Sequence, residues 1–527
     1  MSGTSLVPVV TAAQARELDA RTIRELPDSY TLMHRAADAA VAWLDARDDG
    51  RSAAVFVGPG NNGGDGWLIA GGLRARGWRA SVHVAGEPRT GDAQRARSEA
   101  EQGGAFTTPD GQESLVLDAL LGTGATGAPR DAIAGAMVVM REHVGTVVAI
   151  DLPSALDATT GDDGGAVPAA HTLSFGSVKR GQLLRRDLVG ALHVLDIGLV
   201  AGDAVVPRLV SRALLDAELP NLRSDAYKRT RGRVAIVGGD VGMAGAVILA
   251  ARGAHASGAG MVRVSVDVAS ATALQVAVPF ATVETWSAHT PTCADLAWPD
   301  ALVIGPGLDG GQRSVRGAVV RLLQQYDGPV LLDAGALSAF AENDATTIDD
   351  GDDALDADAD ALDQLRHALR GRPALLTPHL GEFRRLFPSG AAHADSIAAA
   401  TALAARVNAT VLLKGVPTVI ASPGGEVLVS AAGNVALAMG GSGDLLSGIA
   451  GALLAQHVSP LHAGAIAAFV HGTAAERATR VNGGWRGVTM ETLLVEVARV
   501  WHDPADGSDV SSRVPEQLLR LPDVPTR

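Results

Sequence analysis

Residues 438–456 read Ala-Met-Gly-Gly-Ser-Gly-Asp-Leu-Leu-Ser-Gly-Ile-Ala-Gly-Ala-Leu-Leu-Ala-Gln. Leu445, Leu446, Ile449, Ala450, Leu453 and Leu454 recur at helical spacing, so residues 440–443 are expected to turn the chain into a helix N-terminus. Free amides at the start of such a helix, with the positive end of its dipole, can hold a phosphate. Asp444 would then stand where it can take a proton from an attacking hydroxyl. The combination points to phosphoryl transfer; the plainer reading is a glycine turn capped by an acid. No Lys-Ser or Lys-Thr follows the glycines, so this is not a Walker A loop and neutralising charge must come from elsewhere. Arginine supplies nearly all the positive charge, and lysine occurs only at Lys179, Lys228 and Lys414. Lys414 could supply a compact ammonium to the phosphate.

A second constellation lies near the N-terminus. An apolar strand expected at residues 53–57 runs into Gly58-Pro-Gly-Asn-Asn-Gly-Gly-Asp-Gly66 and then a helical run at 67–76. Gly58, Gly60 and Gly63 satisfy G-x-G-x-x-G, the dinucleotide fingerprint. Asn61, Asn62 and Asp65, however, place two amides and a carboxylate in the loop, where oxygen ligands imply a cation or a polyhydroxylated substrate. Glu87, after a strand at 79–85, could bind a ribose hydroxyl or simply be solvated. Two more junctions repeat the plan: residues 115–117 lead into Asp118-Ala-Leu-Leu-Gly-Thr-Gly-Ala-Thr-Gly127, and 146–150 into Asp151-Leu-Pro-Ser154. Carboxyl ends of parallel strands share one edge, so Asn62, Asp118, Asp151 and Ser154 can converge. Taken singly, each acid also reads as a cap or turn former.

The elements that must position these groups follow from length and pattern. A chain of 527 residues is expected to form two domains. With 47% apolar residues, 3% aromatic and 62 glycines, its interior should be Ala, Val, Leu and Ile in an α/β architecture. The net charge of -14 argues against general nucleic-acid binding, and the single Cys293 excludes an internal disulfide or a cysteine zinc site. No signal peptide or membrane-spanning run is legible, so a cytoplasmic setting is expected. Helices are expected at 11–26, with Thr11 as N-cap, and at 29–46. Further strands are expected at 233–237, 261–266, 301–304, 330–332, 374–376 and 410–413. Their loops carry Gly305-Pro-Gly-Leu308, Asp333-Ala-Gly-Ala-Leu337, Thr377-Pro-His-Leu-Gly-Glu382 and Lys414-Gly-Val-Pro-Thr418. His379 could touch substrate or serve as a hydrogen-bonded turn histidine. The acidic run 344–363 reads as a solvated insertion. The expected organisation is a first domain at 1–215, a linker at 216–230, a second domain at 231–503 and a loosely held tail at 504–527.

The segments Gly58-Pro-Gly-Asn-Asn-Gly-Gly-Asp-Gly66, Asp118-Ala-Leu-Leu-Gly-Thr-Gly124, Asp151-Leu-Pro-Ser154 and Phe175-Gly-Ser-Val-Lys179 together resemble the signature of NAD(P)H-hydrate epimerase domains, across residues 9–215. The resemblance implies a Rossmann-like three-layer fold and a potassium ion held by Asn62, Asp118 and Ser154. It implies substrate contacts at Asn61, Asn62, Gly63, Gly64 and Asp65, at Gly122, Thr123, Gly124, Ala125, Thr126, Gly127 and Ala128, and at Asp151, the acid-base candidate. Ala155 departs from the usual Gly after Pro-Ser, and His34 and Ala37 interrupt the Met-Glu-x-Ala-Gly pattern that usually starts at Met33.

Residues 225–500 resemble the ADP-dependent NAD(P)H-hydrate dehydratases, relatives of the ribokinase-like kinases. The matching segments are Arg231-Gly-Arg-Val-Ala-Ile-Val-Gly-Gly239, Gly305-Pro-Gly307, Thr377-Pro-His379 with Gly381-Glu382, Lys414-Gly415 and Gly440-Gly-Ser-Gly-Asp-Leu-Leu-Ser-Gly448. The resemblance implies an adenine nucleotide on Lys414, Gly415, Val416, Pro417, Thr418 and Gly443. It places the hydrated nicotinamide at Ala246, Gly307, His379 and Asp444. Gly335 departs from the more usual Asp-Ala-Asp-Ala-Leu pattern. The joint implication is repair of NADHX and NADPHX with magnesium and ADP, in a homo-oligomer without nucleic-acid or membrane partners. Rival readings are a ribokinase-like vitamin or sugar kinase with a Rossmann-like regulatory domain, a dehydrogenase, and a non-catalytic N-terminal binding module.

Overall fold

A computed structural model describes residues 6–47, 50–200, 206–220, 226–341, 361–392, 395–502 and 516–519. Its described residues divide into two compact units, one built from 7–200 with 206–207 and 516–519, the other from Leu6 and 208–502.

The first unit is a seven-stranded sheet in the order Glu516–Leu519, Ala191–Leu195, His171–Phe175, Thr146–Ile150, Leu115–Ala119, Ser52–Val57, Arg79–Val84. All neighbours are parallel except Glu516–Leu519, which runs antiparallel to Ala191–Leu195. Strand residues buried on both faces require cover on both. Ala53, Val55 and Val57 face a core containing Trp43 and Trp67, whereas Ala54 and Phe56 face one containing Met137 and Met140. The expected three-layer arrangement is therefore present. Thr11 caps the helix Ala12–Arg24 in a reciprocal box with Gln14.

Two placements differ from the sequence reading. Gly60 is the N-cap of helix Asn61–Ala75, so Asn61, Asn62 and Asp65 lie in its opening turns and not in a loop. Asp118 lies within strand Leu115–Ala119, fully buried, rather than beyond it. Glu87 is exposed and paired with Arg97 at 2.7 Å.

A buried hydrogen-bonded carboxylate is expected to make this unit acid-sensitive. His143 Nε2 lies 2.9 Å from Glu113 Oε2, with the two side chains 2% and 1% exposed. Burial by itself raises the Glu113 carboxyl, but hydrogen bonds from Ser81, from backbone amides and from His143 outweigh it and hold it at about 2. The folded value is below the unfolded one, so the stabilisation is complete above the unfolded value of 4.5 and fades as pH falls towards 2. We expect Glu113→Gln to lower stability at pH 7 by about 3 kcal/mol, and by much less at pH 2 to 3. Urea melts of wild type and variant at the two pH values measure the difference.

The second unit is a ten-stranded sheet ordered Thr282–Trp286, Met261–Asp267, Arg233–Val237, Ala301–Ile304, Val330–Leu332, Ala374–Leu376, Thr410–Leu413, Thr418–Ala421, Val427–Ser430, Arg208–Leu209. The six expected strands are all present and parallel. Thr282–Trp286 adds a parallel edge, and Thr418–Ala421 and Val427–Ser430 continue antiparallel from Thr410–Leu413. Helix Ser442–Ala455 packs backbone to backbone on helix Ala244–Ala256. A Cβ on Gly448 would lie 2.0 Å from the Ala250 carbonyl oxygen, and one on Gly253 2.5 Å from that of Leu445.

The boundary between units falls at Pro207, earlier than the expected 215. Strand Arg208–Leu209 pairs with Val427–Ser430, and Leu214 and Leu215 on helix Arg212–Glu218 enter the second core. The Arg212 guanidinium donates to the Val500 and Trp501 carbonyls at 2.6 and 3.2 Å, so residues 208–215, expected in the first domain, pack with the second. Glu516–Leu519, read as loose tail, is a sheet strand. Most of the acidic run 344–363 lies outside the described residues, which resume at helix Ala361–Ala368. Among the described residues, no helix is long and apolar enough to cross a membrane.

Candidate functional site

Each sheet has one place where successive strands change direction of travel, and such switch points leave a cleft at the carboxyl edge. In the first unit it lies between Ser52–Val57 and Leu115–Ala119. A cavity of about 730 Å³ opens there. Asn61, Asn62, Asp65, Gly122, Thr123, Gly124, Ala125 and Asp151 line it, as expected. Gly63 and Gly64 lie buried behind it: a Cβ on Gly63 would sit 1.9 Å from the Gly58 carbonyl oxygen, so this glycine serves packing. Thr126, Gly127 and Ala128 are exposed and are not among its lining residues.

Asp151 directly follows strand Thr146–Ile150 with φ 70, a left-handed conformation uncommon for a residue with a Cβ. The Lys179 ammonium, 3% exposed, donates to one of its oxygens and to Ser174 Oγ at 3.0 Å. Thr123 donates to the other oxygen through its hydroxyl and through its amide at 3.2 Å. Gln182 Nε2 holds the Asp151 carbonyl at 2.7 Å. Burial would raise this carboxyl, but Lys179 and Thr123 hold it below the usual range, so it is an ionised, oriented group. Asp65, by contrast, is pushed well above that range by burial and by the Asp151 and Asp19 charges.

Beside the cavity, Ser154 donates to Asp118 through its amide at 2.8 Å and its hydroxyl at 2.6 Å. Asn62 Nδ2 donates to the Leu121 carbonyl at 3.0 Å, while Asn62 Oδ1 is buried without a hydrogen-bond partner. An orphaned buried oxygen near a fully buried carboxylate is a donor set that suits a large, weakly hydrated cation such as potassium.

In the second unit, the switch point lies between Arg233–Val237 and Ala301–Ile304. Gly307, with φ 68, brings its loop against the helix carrying Ala246, whose Cβ would be 3.0 Å from a Cβ at 307. Parallel strands ending at Ile304, Leu332, Leu376 and Leu413 deliver Gly307, Asp333, His379 and Lys414 to the same sheet edge. Lys414 Nζ lies 2.8 Å from Asp333 Oδ1 and 3.9 Å from Glu382 Oε2. Ser447 Oγ donates to the other Asp333 oxygen at 2.6 Å. Burial opposes the Lys414 charge, but Asp333 and Glu382 outweigh it and raise the ammonium.

Helix Ser442–Ala455 starts at this cluster. Gly441, with φ 89, is its N-cap and offers no side chain to cap it. A Cβ on Gly443 would stand 3.3 Å from Lys414 Nζ, so the bare glycine admits the ammonium to the helix N-terminus. Asp444, in the first turn, is pushed up to about 7 by burial and the Asp333 charge, against the pull of Lys414. Among the described residues no side chain hydrogen-bonds its carboxylate. A carboxylate raised to about 7, next to amides and an ammonium that can hold a phosphate, has the chemistry a general base needs at neutral pH.

His379 caps helix Leu380–Leu386, accepting from the Gly381 amide at 2.9 Å, and is half exposed at the Lys414 edge. The loop 414–418 turns through a cis peptide between Val416 and Pro417, with Thr418 Oγ donating to the Gly415 carbonyl at 3.0 Å. Gly335 is accounted for sterically: a Cβ there would lie 2.1 Å from the Leu308 carbonyl oxygen. Gly335→Ala should therefore cost about 1–3 kcal/mol, read as a lower melting temperature.

Comparison with known proteins closes the question of kinship. A family model described as NAD(P)H-hydrate dehydratase matches residues 234–498, and one described as YjeF-related protein N-terminus matches 29–181. The bifunctional NAD(P)H-hydrate repair enzyme Nnr of Moorella thermoacetica is 34% identical over 515 residues, covering 90% of this chain and 93% of that protein. The Escherichia coli enzyme of the same name is 34% identical over 488 residues, covering 89% of each. This chain belongs to the bifunctional NAD(P)H-hydrate repair enzymes. Among solved structures, the Bacillus subtilis ADP/ATP-dependent NAD(P)H-hydrate dehydratase co-crystallised with ATP and Mg2+ is 31% identical, covering 55% of this chain and 95% of that one, with a TM-score of 0.45.

Several groups in this repair enzyme escaped the sequence reading. Asp333, Glu382 and Ser447 lay inside quoted motifs, yet nothing in their spacing told that they would bracket Lys414. Lys179 was singled out by the scarcity of lysine, but its partnership with Asp151 required the fold. His471, buried and held down to about 4 by burial and Lys414, lies 3.3 Å from Ser442 Oγ and had no local signal.

Proposed function

We propose that the two units perform successive steps in repairing hydrated nicotinamide coenzymes. The first interconverts the R and S epimers of NADHX and NADPHX at C6; the second converts the S epimer to NADH or NADPH at the expense of ADP. In the second, Asp444 accepts the proton of the C6 hydroxyl as its oxygen attacks the β-phosphorus of ADP, releasing AMP. Lys414 and the amides at 442–444 take up the charge of the transferred group. The ring nitrogen then expels phosphate from C6, a proton leaves C5, and the C5=C6 bond is restored. Magnesium, when bound with the nucleotide, neutralises phosphate charge; among the described residues no group of three or more acidic, His or Cys side chains forms a cage for it. Potassium, held by Asn62 Oδ1, Asp118 and Ser154, would supply fixed positive charge beside the first cavity.

The observation that carries this reading is the unpaired Asp444 carboxylate, raised to about 7, at a helix N-terminus beside Lys414. Incubation with mixed NADHX epimers, ADP and magnesium should yield equal AMP and phosphate and restore the NADH absorbance. Failure to restore NADH with either ADP or ATP would sink it and favour a kinase of some other alcohol.

A further inference from the structure

The epimerase cavity contains an acid that none of the steps above employs. Asp19 lies on helix Ala12–Arg24 and lines the same cavity as Asp65, Asp151 and Lys179. Its placement is built in. The two-residue strand Val9–Val10 leads into this helix and pairs with Val178–Lys179, so that Val10 lies opposite Lys179. The Ala12 amide, at the helix start, donates to Thr159 Oγ at 2.9 Å. One small ladder therefore positions both the helix carrying Asp19 and the ammonium that orients Asp151.

Resting on the epimerase reading of this unit, we propose that Asp19 is a catalytic residue paired with Asp151. Asp151 takes the proton of the C6 hydroxyl while Asp19 delivers one to the ring nitrogen N1. The C6–N1 bond breaks with its electron pair going to nitrogen, and C6 becomes an aldehyde. Rotation about C5–C6 turns the other face of the carbonyl towards N1. Ring closure then reverses both transfers, returning a proton to Asp19 from N1 and one to the new C6 oxygen from Asp151. No water, oxidant or nucleotide is consumed.

Two arguments favour opening the ring over losing the hydroxyl. The neighbouring dehydratase must spend a phosphoryl group to make the C6 oxygen leave, which marks hydroxide as a poor leaving group here. N1, in contrast, is conjugated through C2=C3 to the carboxamide, which delocalises its electrons and eases its departure. The protonation states match the division of labour. Asp151 is held ionised by Lys179, whereas Asp19, on the exposed wall of the cavity, is raised to about 6 by partial desolvation and the Asp151 charge against the opposing pull of Lys179. The charged groups lining the cavity around Asp19 are Arg16, Asp65, Arg89, Asp92, Asp151 and Lys179. Of these, Asp65 is raised as well, by burial and by the Asp151 and Asp19 charges, and is the rival donor that the variants below distinguish from Asp19.

The test uses the full chain. R–S interconversion of NADHX is followed by chromatography from pH 5 to 9, without ADP, in wild type, Asp19→Asn, Asp19→Glu and Asp65→Asn. A proton donor at about 6 predicts that the wild-type rate falls as pH rises above 6. Asp19→Asn should be about 100-fold slower, with that limb gone, and Asp19→Glu should recover to within about tenfold of wild type. Dehydration of S-NADHX by the other unit should be unchanged in all four. The proposal is overturned if Asp19→Asn stays within about threefold of wild type, if its limb persists, or if Asn and Glu are equally impaired. Removal of the limb by Asp65→Asn alone would overturn it and move the role to Asp65. Absence of interconversion in the wild type would instead overturn the epimerase reading, and the proposal with it.

Discussion

Replacing Asp444 by Asn is expected to lower ADP-dependent dehydration of S-NADHX by about 10²–10⁴-fold while epimerisation proceeds at the wild-type rate. The amide has the shape of the carboxylate but cannot accept the hydroxyl proton. No side chain among the described residues hydrogen-bonds Asp444, so the change removes a base without removing a structural bond. The variant also cancels a negative charge near the incoming phosphates, so nucleotide should bind as well as before or better, and the loss should fall on kcat. The pH dependence follows from the same group. Its folded value is about 7, so the active, ionised fraction grows tenfold per unit as pH rises towards 7 and levels off above it. The variant should lack this ascending limb. A dehydration rate within tenfold of wild type would require a different base.

Asp151→Asn is expected to leave the dehydratase intact and to strand the R epimer. Given mixed NADHX epimers and ADP, the wild type should consume both, whereas the variant should stop once the S epimer is gone. The rate of interconversion should drop by about 10²–10⁴-fold. A structural cost is also expected, because Lys179 is 3% exposed and would lose the carboxylate its ammonium is bonded to. Breaking such a pair costs about 3–5 kcal/mol, which could be mistaken for a catalytic loss. The double variant Asp151→Asn with Lys179→Met separates the two: it should recover much of the thermal stability and none of the epimerisation. If the double variant interconverts the epimers, Asp151 has no role in the chemistry.

The strands at 233–237, 301–304 and 410–413 were legible because parallel strands buried on both faces are continuous apolar runs, and the glycine loops after them announced the sheet edge. A two-residue strand, and a strand that begins inside a glycine-proline loop, were not. Val9–Val10 has only two residues, and Thr418–Ala421 follows Lys414-Gly-Val-Pro so closely that it read as loop. Asn61 and Asn62 were expected in a loop because glycines and amides disfavour helix; the helix starts there because Gly60 turns the chain and the following residues pack against sheet and neighbours. In the sites, first contacts came from motifs, whereas the partners that set charge, such as Asp333 on Lys414 and Lys179 on Asp151, lie 81 and 28 residues away in sequence. Distance along the chain hides such pairs, since only the sheet order brings them together.

The antiparallel strand Glu516–Leu519 gives the epimerase unit an unusual birth. Its other six strands are synthesised within the first 195 residues, yet the last place in the sheet stays open while the whole dehydratase is translated. Until then the edge of Ala191–Leu195 has unpaired amides and carbonyls, an adhesive surface on a nascent chain. A gene cut after the first unit would produce a protein that keeps this edge permanently, so clumping of such a fragment would report a missing strand and not a failed core.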